Sequence, residues 1–338
     1  MFKCIITGLG GRGLHWVRQV RQRQDCEIAA YVEPVEANRQ RAVEKQGVPE
    51  DAIFPALDVA IGAVQADFVL DVTPPAVHHE VAQKAFDAGL HVLGEKPLSD
   101  DFATARRVVE WGRDSGRKHM ITQNYRFGAF PRTTRKLLHE GLIGKPGQCD
   151  IRFYIPWADI PGSHYVTQPF MLINDMMVHH FDLMRYVLDA DPVSVHAITW
   201  NQPWGWHKGD AAHAIVFEFE DGLVATHVAC GCAVGSQTGW NGDWRIEGPQ
   251  GSIDWDKSSM WHSHLHRAPE PGRKQLEALA VPPSEQAILD EFFAAIREDR
   301  EPECSAGDNL NSLAMVFAAI KSTQEGRRVR LAELSRAE

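Results

Sequence analysis

The chain has 338 residues, which exceeds the usual size of one domain and predicts two. Its residues are 44% hydrophobic and 24% charged, as in ordinary globular proteins, so both domains can bury a core. The formal net charge of −10 argues against nucleic acid or an anionic membrane surface as the main partner, and no apolar run reaches the length of a membrane span.

The first part of the chain alternates predicted strands with predicted helices. Short apolar runs predict strands at residues 3–7, 27–32, 67–72, 90–93 and 119–122. Helical patterns lie between them at residues 14–24, 35–46, 76–88 and 101–115. This alternation with short turns predicts an α/β domain with a doubly wound parallel sheet.

After about residue 122 strand patterns dominate. They lie at residues 148–154, 193–200, 214–219, 223–229, 244–247 and 252–254. Helical patterns lie at residues 133–140, 173–188, 285–296 and 308–324. We therefore predict a second, α+β domain with a largely antiparallel sheet, and we place the two domains at residues 1–121 and 122–338.

A glycine-rich loop follows the first predicted strand. Residues 8–13 read GLGGRG and contain GxGxxG between a strand and a helix, which is the context that a dinucleotide-binding loop requires. In such a loop Gly8 permits the tight turn, Gly10 lets the backbone approach a pyrophosphate, and Gly13 allows close packing of helix and strand. The phosphates are expected at the helix N-terminus, where free N–H groups favour anions. The first domain is therefore predicted to be a Rossmann domain.

An acid ends the second predicted strand. Glu33 lies 20 residues after Gly13, where a carboxylate can accept hydrogen bonds from the adenosine ribose hydroxyls. Pro34 favours extended backbone at Glu33, which suits a side chain at a strand end. A carboxylate there repels a 2′-phosphate, so NAD is predicted rather than NADP, with Arg39 and Arg41 as solvated charges. The structural alternative is that Glu33 is a surface acid at a turn.

Lys96 follows another predicted strand, at the edge where doubly wound sheets place their ligands. It stands between Glu95 and Pro97, and its ammonium group could hydrogen-bond a substrate hydroxyl and favour alkoxide formation. A solvated turn is the structural alternative for this tripeptide.

The second domain supplies acids and a histidine at helical spacing. Asp175, His179 and Asp182 are spaced i, i+4 and i+7, which predicts that they share one face of a helix. Histidine titrates near neutrality, so His179 is a candidate general base that a carboxylate could orient. The alternative is a partly buried histidine paired with aspartate for packing.

These motifs occur in one order with several others. The segments are GLGGRG at 8–13, Thr73-Pro74-Pro75 with His78, GLHVLGEKPL at 89–98, NYRF at 124–127, EGLIGKP at 140–146, DMMVHHFDL at 175–183, and Lys321-Ser322 before Gly326-Arg327-Arg328-Val329. Over nearly its whole length the chain resembles the glucose–fructose oxidoreductase / inositol dehydrogenase family (Gfo/Idh/MocA). It departs from the family before Asp175, where a usually glycine-rich stretch reads PFMLIN at 169–174.

The resemblance implies a Rossmann domain joined to a substrate domain with an open β-sheet, through which homodimers or homotetramers often form. It also implies a carbohydrate or polyol substrate and a catalytic set of Lys96, Asp175 and His179. In this scheme His179 removes the hydroxyl proton, Lys96 stabilises the developing alkoxide, and Asp175 positions substrate and base.

Two sets of residues are assigned to ligand binding. The cofactor set is Gly8, Gly10, Gly11, Arg12, Gly13, Glu33, Thr73, Pro74, His78, Glu95 and Lys96. The substrate set is Lys96, Tyr125, Arg126, Tyr154, Trp157, His164, Asn174, Asp175, His179 and His180. Several of the ten tryptophans lie between residues 200 and 266, where they could form platforms for sugar rings or the ordinary packing of a β-rich domain.

Three other functions fit parts of the sequence. A redox-neutral hydrolase or lyase could use the same nucleotide motif by oxidising a sugar transiently and reducing it again. A non-catalytic NAD-binding sensor would not need Lys96 and His179. A metal enzyme could use Asp175 and His179, or the alternating His262, His264 and His266, whose spacing predicts that they share one face of a strand. No cysteine or acid cluster completes such a site, so no metal is predicted.

The six cysteines form no CxxC pair and are predicted to be reduced core thiols. The first residues lead straight into the glycine-rich loop and do not resemble a cleaved signal. We therefore expect a cytoplasmic protein.

Overall fold

The structure is a computed structural model that describes residues 1–157, 159 and 163–334. The chain divides into two units, each made from two segments. The first consists of Met1–Gln123 and Pro283–Leu310, and the second of Asn124–Pro282 and the chain from Asn311 onward. Within the described ranges, no helix is long and apolar enough to cross a membrane.

A parallel sheet organises the first unit. Its strands are β1 (Phe2–Thr7), β2 (Cys26–Val32), β3 (Ile53–Phe54), β4 (Phe68–Asp71), β5 (His91–Gly94) and β6 (His119–Ile121). They pair in the order β3-β2-β1-β4-β5-β6. Every residue of β4 is buried, as expected when helices cover both faces of a parallel sheet. The predicted doubly wound parallel sheet is confirmed.

A larger sheet organises the second unit. Its strands are β7 (Gln148–Tyr154), β8 (Pro192–Trp200), β9 (Ala212–Phe219), β10 (Val224–Cys230), β11 (Asp243–Gly248), β12 (Gly251–Trp255), β13 (Met260–His264), β14 (Gly272–Gln275) and β15 (Val329–Arg330). They form nine strands in the order β14-β13-β12-β11-β7-β10-β9-β8-β15. β7 and β10 pair in parallel and the other neighbours are antiparallel, so the predicted mostly antiparallel sheet is confirmed.

Ten α-helices accompany the two sheets in the described part of the chain. They are α1 (Gly11–Arg21), α2 (Glu36–Gln46), α3 (Leu57–Ala63), α4 (His78–Asp87), α5 (Phe102–Ser115), α6 (Ala129–His139), α7 (Met171–Asp175), α8 (Met177–Leu188), α9 (Ser284–Arg297) and α10 (Ala306–Glu325). Short 3-10 turns lie at Glu50–Ala52, Pro75–Val77, Asn124–Phe127, His164–Thr167 and Leu331–Glu333.

Side chains alternate between the two faces of the large sheet. In β9, Ile215 and Phe217 are buried, while Val216 between them is 38% exposed. Phe181 of α8 packs edge to face on Phe217, with ring centroids 4.9 Å apart. The inner face of the sheet therefore carries the core of the second unit and holds α8.

Helix α9 packs on the first unit. Phe293 stacks on Phe2 with ring centroids 4.4 Å apart, and Phe292 meets Phe68 edge to face at 5.2 Å. These contacts bring residues 283–310 into the first unit, although the strand and helix pattern of the sequence predicts them in the second domain. The cause is the aromatic face of α9, whose Phe292 and Phe293 are fully buried.

Candidate active site

The glycine-rich loop joins β1 to α1. Gly8 has a φ of +84°, in the left-handed region, and a Cβ there would lie 2.6 Å from the Val72 carbonyl oxygen. A Cβ on Gly13 would lie 1.9 Å from the Gly8 carbonyl oxygen, so only glycine allows this approach of helix and loop. A Cβ on Gly10 would meet no protein atom within 4 Å. The backbone itself thus requires glycine at two positions, while the third faces open space.

The N-terminus of α1 is open to an anion. Its N-cap is Gly10, which has no side chain to accept hydrogen bonds from the first helical N–H groups. Gly11 also faces open space, and the first turn contains no acidic residue. Free N–H groups and the helix dipole favour negative charge here, so the loop fits the pyrophosphate of a dinucleotide.

Glu33 lies at the end of β2 with only 3% of its surface exposed. Its Oε2 accepts a hydrogen bond from the Leu9 N–H at 2.7 Å, and its Oε1 accepts one from the Val35 N–H at 2.9 Å. The carboxylate therefore holds the glycine-rich loop, a role that the sequence does not indicate. Each oxygen keeps a second lone pair, so the bond to ribose hydroxyls stays a prediction.

The loop after β4 is held by its own side chains. Buried Asp71 accepts hydrogen bonds at Oδ1 from the Thr73 N–H at 3.0 Å and the Thr73 hydroxyl at 2.6 Å. The two ring nitrogens of His78 lie 2.8 Å from the Thr73 carbonyl oxygen and 2.9 Å from that of Pro97. His78 thus bridges two loops through backbone atoms, and Pro74 is exposed beside it.

Glu95 ties the loop after β5 to α1. It is buried, and its Oε1 accepts hydrogen bonds from Arg12 Nε at 2.5 Å and Trp16 Nε1 at 2.7 Å. Lys96 follows directly and is half-buried, with a cis peptide bond to Pro97. Arg12 and Glu95 are therefore partners of each other, and Lys96 stands at the sheet edge where α/β folds bind ligands.

Asp175 and His179 lie on two different helices. Asp175 is the last residue of α7, and α8 begins at Met177. The predicted helix at 173–188 is therefore interrupted only at Met176, which keeps right-handed helical dihedral angles (φ −97°, ψ −33°), and the shared face of Asp175 and His179 stays a prediction. Phe170, the N-cap of α7, has a φ of +49°, a conformation that costs a non-glycine residue about 1–2 kcal/mol.

Two tyrosines lie near Asp175. Burial and the negative charge of Asp175 raise the pKa of both Tyr125 and Tyr165. Tyr125 also stacks on His179, with ring centroids 4.4 Å apart and 15° between the planes. The second unit thus brings together Tyr125, Asp175 and His179 from the predicted substrate set, and also Tyr165, which no sequence motif indicates.

The guanidinium group of Arg126 forms a buried ion pair with Asp182. Its Nε donates to Asp182 Oδ2 at 2.8 Å, and a second bond joins its guanidinium to Oδ1. Both side chains are buried, and the Ser312 hydroxyl donates to the same carboxylate at 3.1 Å. A buried pair of this kind is costly to break, so the arrangement favours a structural role for Arg126 over the predicted substrate contact.

The other predicted substrate residues differ in exposure. Asn174 is exposed and donates to a backbone carbonyl at 2.9 Å. Tyr154 and Trp157 are half-buried, and the side chain of His164 lies outside the described residues. His180 is fully buried, so this conformation does not offer it to a substrate.

The histidines of the metal alternative do not share one strand. His262 and His264 lie in β13, which ends at His264, and His266 lies beyond that end. The predicted common strand face is therefore wrong for His266.

Three buried histidines form a chain of hydrogen bonds. His180 Nε2 donates to the Trp240 carbonyl oxygen at 3.0 Å, and His227 Nε2 donates to His180 Nδ1 at 3.1 Å. His213 Nε2 donates to His227 Nδ1 at 3.0 Å. Burial lowers the pKa of His180 and His213 to about 3 and that of His227 well below its ordinary value, so the rings are neutral at neutral pH. No local pattern indicates this chain, because its members lie on α8, β9 and β10.

Comparison with known proteins identifies the family. Residues 2–123 match the NAD-binding Rossmann fold of the Gfo/Idh/MocA oxidoreductases, and residues 132–254 match the C-terminal domain of the same family. The chain belongs to the Gfo/Idh/MocA family. It is therefore an NAD(P)-binding oxidoreductase by descent, as the motifs around Gly8, Lys96 and Asp175 predict.

Gfo/Idh/MocA relatives match nearly the whole chain at low identity. Inositol 2-dehydrogenase of Rhizobium meliloti is 25% identical, covering 97% of this chain and 98% of its own length. D-apiose dehydrogenase of Paraburkholderia graminis is 24% identical, covering 98% and 90%. The crystal structure of an oxidoreductase from Agrobacterium radiobacter with NAD+, L-tartaric acid and magnesium gives a TM-score of 0.88 at 18% identity, covering 98% of this chain and 99% of that one. That likeness shows a shared fold.

Proposed function

We propose that this Gfo/Idh/MocA protein is an NAD-dependent dehydrogenase that oxidises a carbinol of a carbohydrate or polyol. The observation that carries the proposal is the position of Lys96. Glu95 fixes the loop of Lys96 to Arg12 and Trp16 of α1, the helix whose N-terminus fits the cofactor phosphates. The hydrogen bonds of Glu95 thus connect the loop that carries the Lys96 ammonium group to the helix that forms the proposed phosphate site.

Three side chains act on the substrate hydroxyl groups in this proposal. Bound NAD would supply the hydride acceptor. His179 takes the hydroxyl proton as general base, and Tyr125 stacked on it fixes the plane of the imidazole. Lys96 lowers the energy of the developing alkoxide through its charge, while Asp175 accepts a hydrogen bond from a substrate hydroxyl.

We further infer that NAD is preferred to NADP. Glu33 places a carboxylate at the end of β2, next to the position of the adenosine ribose in this fold. A 2′-phosphate would meet like charge there. Calorimetric titration should give tighter binding of NAD than of NADP. Tighter binding of NADP would indicate that Arg39, and not Glu33, determines the choice of cofactor. Arg39 donates a hydrogen bond to the Pro34 carbonyl oxygen at 3.2 Å.

We also infer that copies of the chain assemble through the outer face of the large sheet. Ile198 of β8 is 61% exposed and Val216 of β9 is 38% exposed. The register pairs Ile198 with Ala214 and His196 with Val216, so the two apolar side chains point to the same face. Exposed apolar patches of this kind mark protein–protein contacts.

The test of the dehydrogenase function is a screen of monosaccharides, cyclitols, polyols and sugar acids with excess NAD. We expect NADH to form in proportion to the substrate consumed, because the cofactor must leave in each cycle. Glycoside cleavage or elimination without accumulation of NADH would instead establish the redox-neutral hydrolase or lyase. If the protein catalyses neither reaction with any of these compounds, the proposal is refuted.

A further inference from the structure

A cavity of about 360 Å³ lies at one edge of the parallel sheet in the first unit. Its lining comes from the end of α5, from the start of β6 and from the chain around the start of α10. Because β6 is parallel to its neighbour β5, it begins at the edge opposite the one that carries Lys96 and the glycine-rich loop. The cavity is therefore separate from the proposed cofactor site and from Lys96.

Positive side chains outnumber negative ones in the lining. Arg113, Arg117 and Lys118 contribute three cations. Among the described lining residues, Glu301 alone is acidic. Lys118 Nζ also lies 3.0 Å from a carboxylate oxygen of Asp299, whose side chain is almost fully exposed. The lining is thus positive although the whole chain has a formal charge of −10, which favours an anionic ligand here.

The first turn of α10 adds backbone donors to the same cavity. Ala306 and Gly307 are its first two residues, and both line the cavity. Helical geometry leaves their N–H groups without a partner inside the helix, whereas the Asp308 N–H donates to the Ser305 hydroxyl at 3.1 Å. The helix dipole adds positive potential at this end, so the turn can hold a negatively charged group.

His119 brings a buried polar atom without a partner into the lining. It is the first residue of β6 and is only 7% exposed. Its Nδ1 has no hydrogen-bond partner among the described residues. Burial and the nearby charge of His78 lower the pKa of His119 to about 3, so the ring is neutral at neutral pH and carries one N–H. Buried polar atoms without partners are rare, and this one indicates a ligand that can accept a hydrogen bond from Nδ1.

The size of the cavity and its apolar part indicate a ligand larger than a bare ion. A volume of about 360 Å³ falls within the range of small-molecule sites. Val109 lines it with an apolar side chain, and Gly112 and Gly116 leave room along the end of α5. A small organic phosphate fits both parts, because its phosphate oxygens accept hydrogen bonds from N–H and guanidinium groups while its carbon skeleton packs on Val109.

We propose that this cavity is a second ligand site, which binds the phosphate group of a small phosphorylated metabolite at the N-terminus of α10. The phosphate accepts hydrogen bonds from the Gly307 N–H and from His119, and Arg117 and Lys118 balance its charge. Because the cavity and the glycine-rich loop lie at opposite edges of the sheet, the two sites are filled independently. The proposal does not depend on the dehydrogenase function.

The test measures phosphate binding by calorimetry in the cofactor-saturated protein, where the glycine-rich loop is already occupied. Glycerol 3-phosphate and inorganic phosphate are the probes. Gly307→Asp places a carboxylate on the N–H groups that the phosphate would use, and this charge also suits the helix dipole. A Cβ at Gly307 would lie 3.7 Å from Ser305 Oγ and 3.9 Å from Val109 Cγ1, which are ordinary contacts, so the variant should fold. We expect its Kd for glycerol 3-phosphate to rise at least about tenfold, and that of the uncharged Gly307→Asn to rise less.

A second pair of variants separates a built site from a general effect of charge. Arg117→Gln should raise the Kd about tenfold, whereas Arg107→Gln should change it by less than about twofold. Arg107 is the matched control, because it lies on α5 outside the cavity and donates to the Thr104 hydroxyl at 3.0 Å. Thermal melting shows that each variant is folded under the conditions of the titration.

Three results would overturn the proposal. The first is a cofactor-saturated wild type that binds neither probe. The second is wild-type affinity in Gly307→Asp, and the third is an equal loss in Arg117→Gln and Arg107→Gln. Because the readout is binding and not turnover, each of these results leaves the proposed dehydrogenase function untouched.

Discussion

Lys96 is the residue on which the proposed chemistry depends most. Lys96→Met keeps the length of the side chain and removes its charge. We expect kcat to fall by about 10²-fold or more, the scale of a lost electrostatic stabiliser, while NAD still binds. Steady-state kinetics and calorimetry measure the two quantities. Lys84→Met is the matched control, because Lys84 pairs with Asp58 at the surface of the same unit. Near wild-type kcat in Lys96→Met would remove Lys96 from the mechanism.

Glu33 leads to a prediction that needs no cofactor. Glu33→Gln replaces one accepting oxygen with an amide NH₂, which leaves the N–H of Leu9 or Val35 facing a donor. We expect the free energy of unfolding to fall by about 1–3 kcal/mol, the cost of an unpaired buried donor. Denaturant titration of the cofactor-free protein measures it, with the exposed Glu36→Gln as control. Equal midpoints for the two variants would contradict the role of Glu33 in holding the loop.

The sequence motifs select Glu33 and Glu95 as candidate site residues, but they do not indicate which groups these carboxylates contact. The glycine spacing selects Glu33 and the strand end selects Glu95, because both depend on local chain geometry. Their partners do not follow from the sequence, since Leu9 lies 24 residues from Glu33 and Arg12 lies 83 residues from Glu95. The same limit applies to Arg126, whose buried partner lies 56 residues away.

The chain of three histidines on α8, β9 and β10 makes stability depend on pH. The unfolded rings bind protons below about pH 6.5, whereas folded His180 and His213 do so only near pH 3, because burial lowers their pKa to about 3. The unfolded state therefore binds more protons in this window, and stability falls as pH falls, by up to about 1.4 kcal/mol per pH unit for each histidine.

Denaturant unfolding at pH 7 and pH 5 checks this prediction. His213→Gln should lose less stability between the two values than the wild type, since one depressed titration has been removed. His196→Gln, on the exposed face of β8, is the control. If His213→Gln lost as much stability between pH 7 and pH 5 as the wild type, the three hydrogen-bonded histidines would not be the cause of the pH dependence.

At the level of elements, periodicity recovered the strands whose faces differ in burial. β7 and β9 alternate between buried and exposed side chains, so their patterns are visible in the sequence. The break between α7 and α8 is not visible, because residues 171–188 are apolar enough to read as one helix. The two-residue strands β3 and β15 are likewise too short to carry a period.

At the level of the whole molecule, the outer face of the large sheet predicts assembly. Ile198→Glu and Val216→Glu each place a charge on the exposed apolar patch, so we expect the mass in solution to fall from that of a dimer or tetramer toward that of a monomer. Light scattering coupled to size exclusion measures the mass. Val59→Glu is the control, since Val59 is 50% exposed on the first unit. A monomeric wild type would refute the assembly.

The order of synthesis matters for a unit built from two distant segments. Phe2 and Phe68 leave the ribosome long before Phe292 and Phe293, and residues 124–282 are made in the interval. Until α9 emerges, the nascent parallel sheet exposes aromatic side chains that the finished protein covers, and such surface is prone to aggregation. The speed of translation through residues 124–282 therefore sets how long chaperones, or neighbouring nascent chains, can reach this surface.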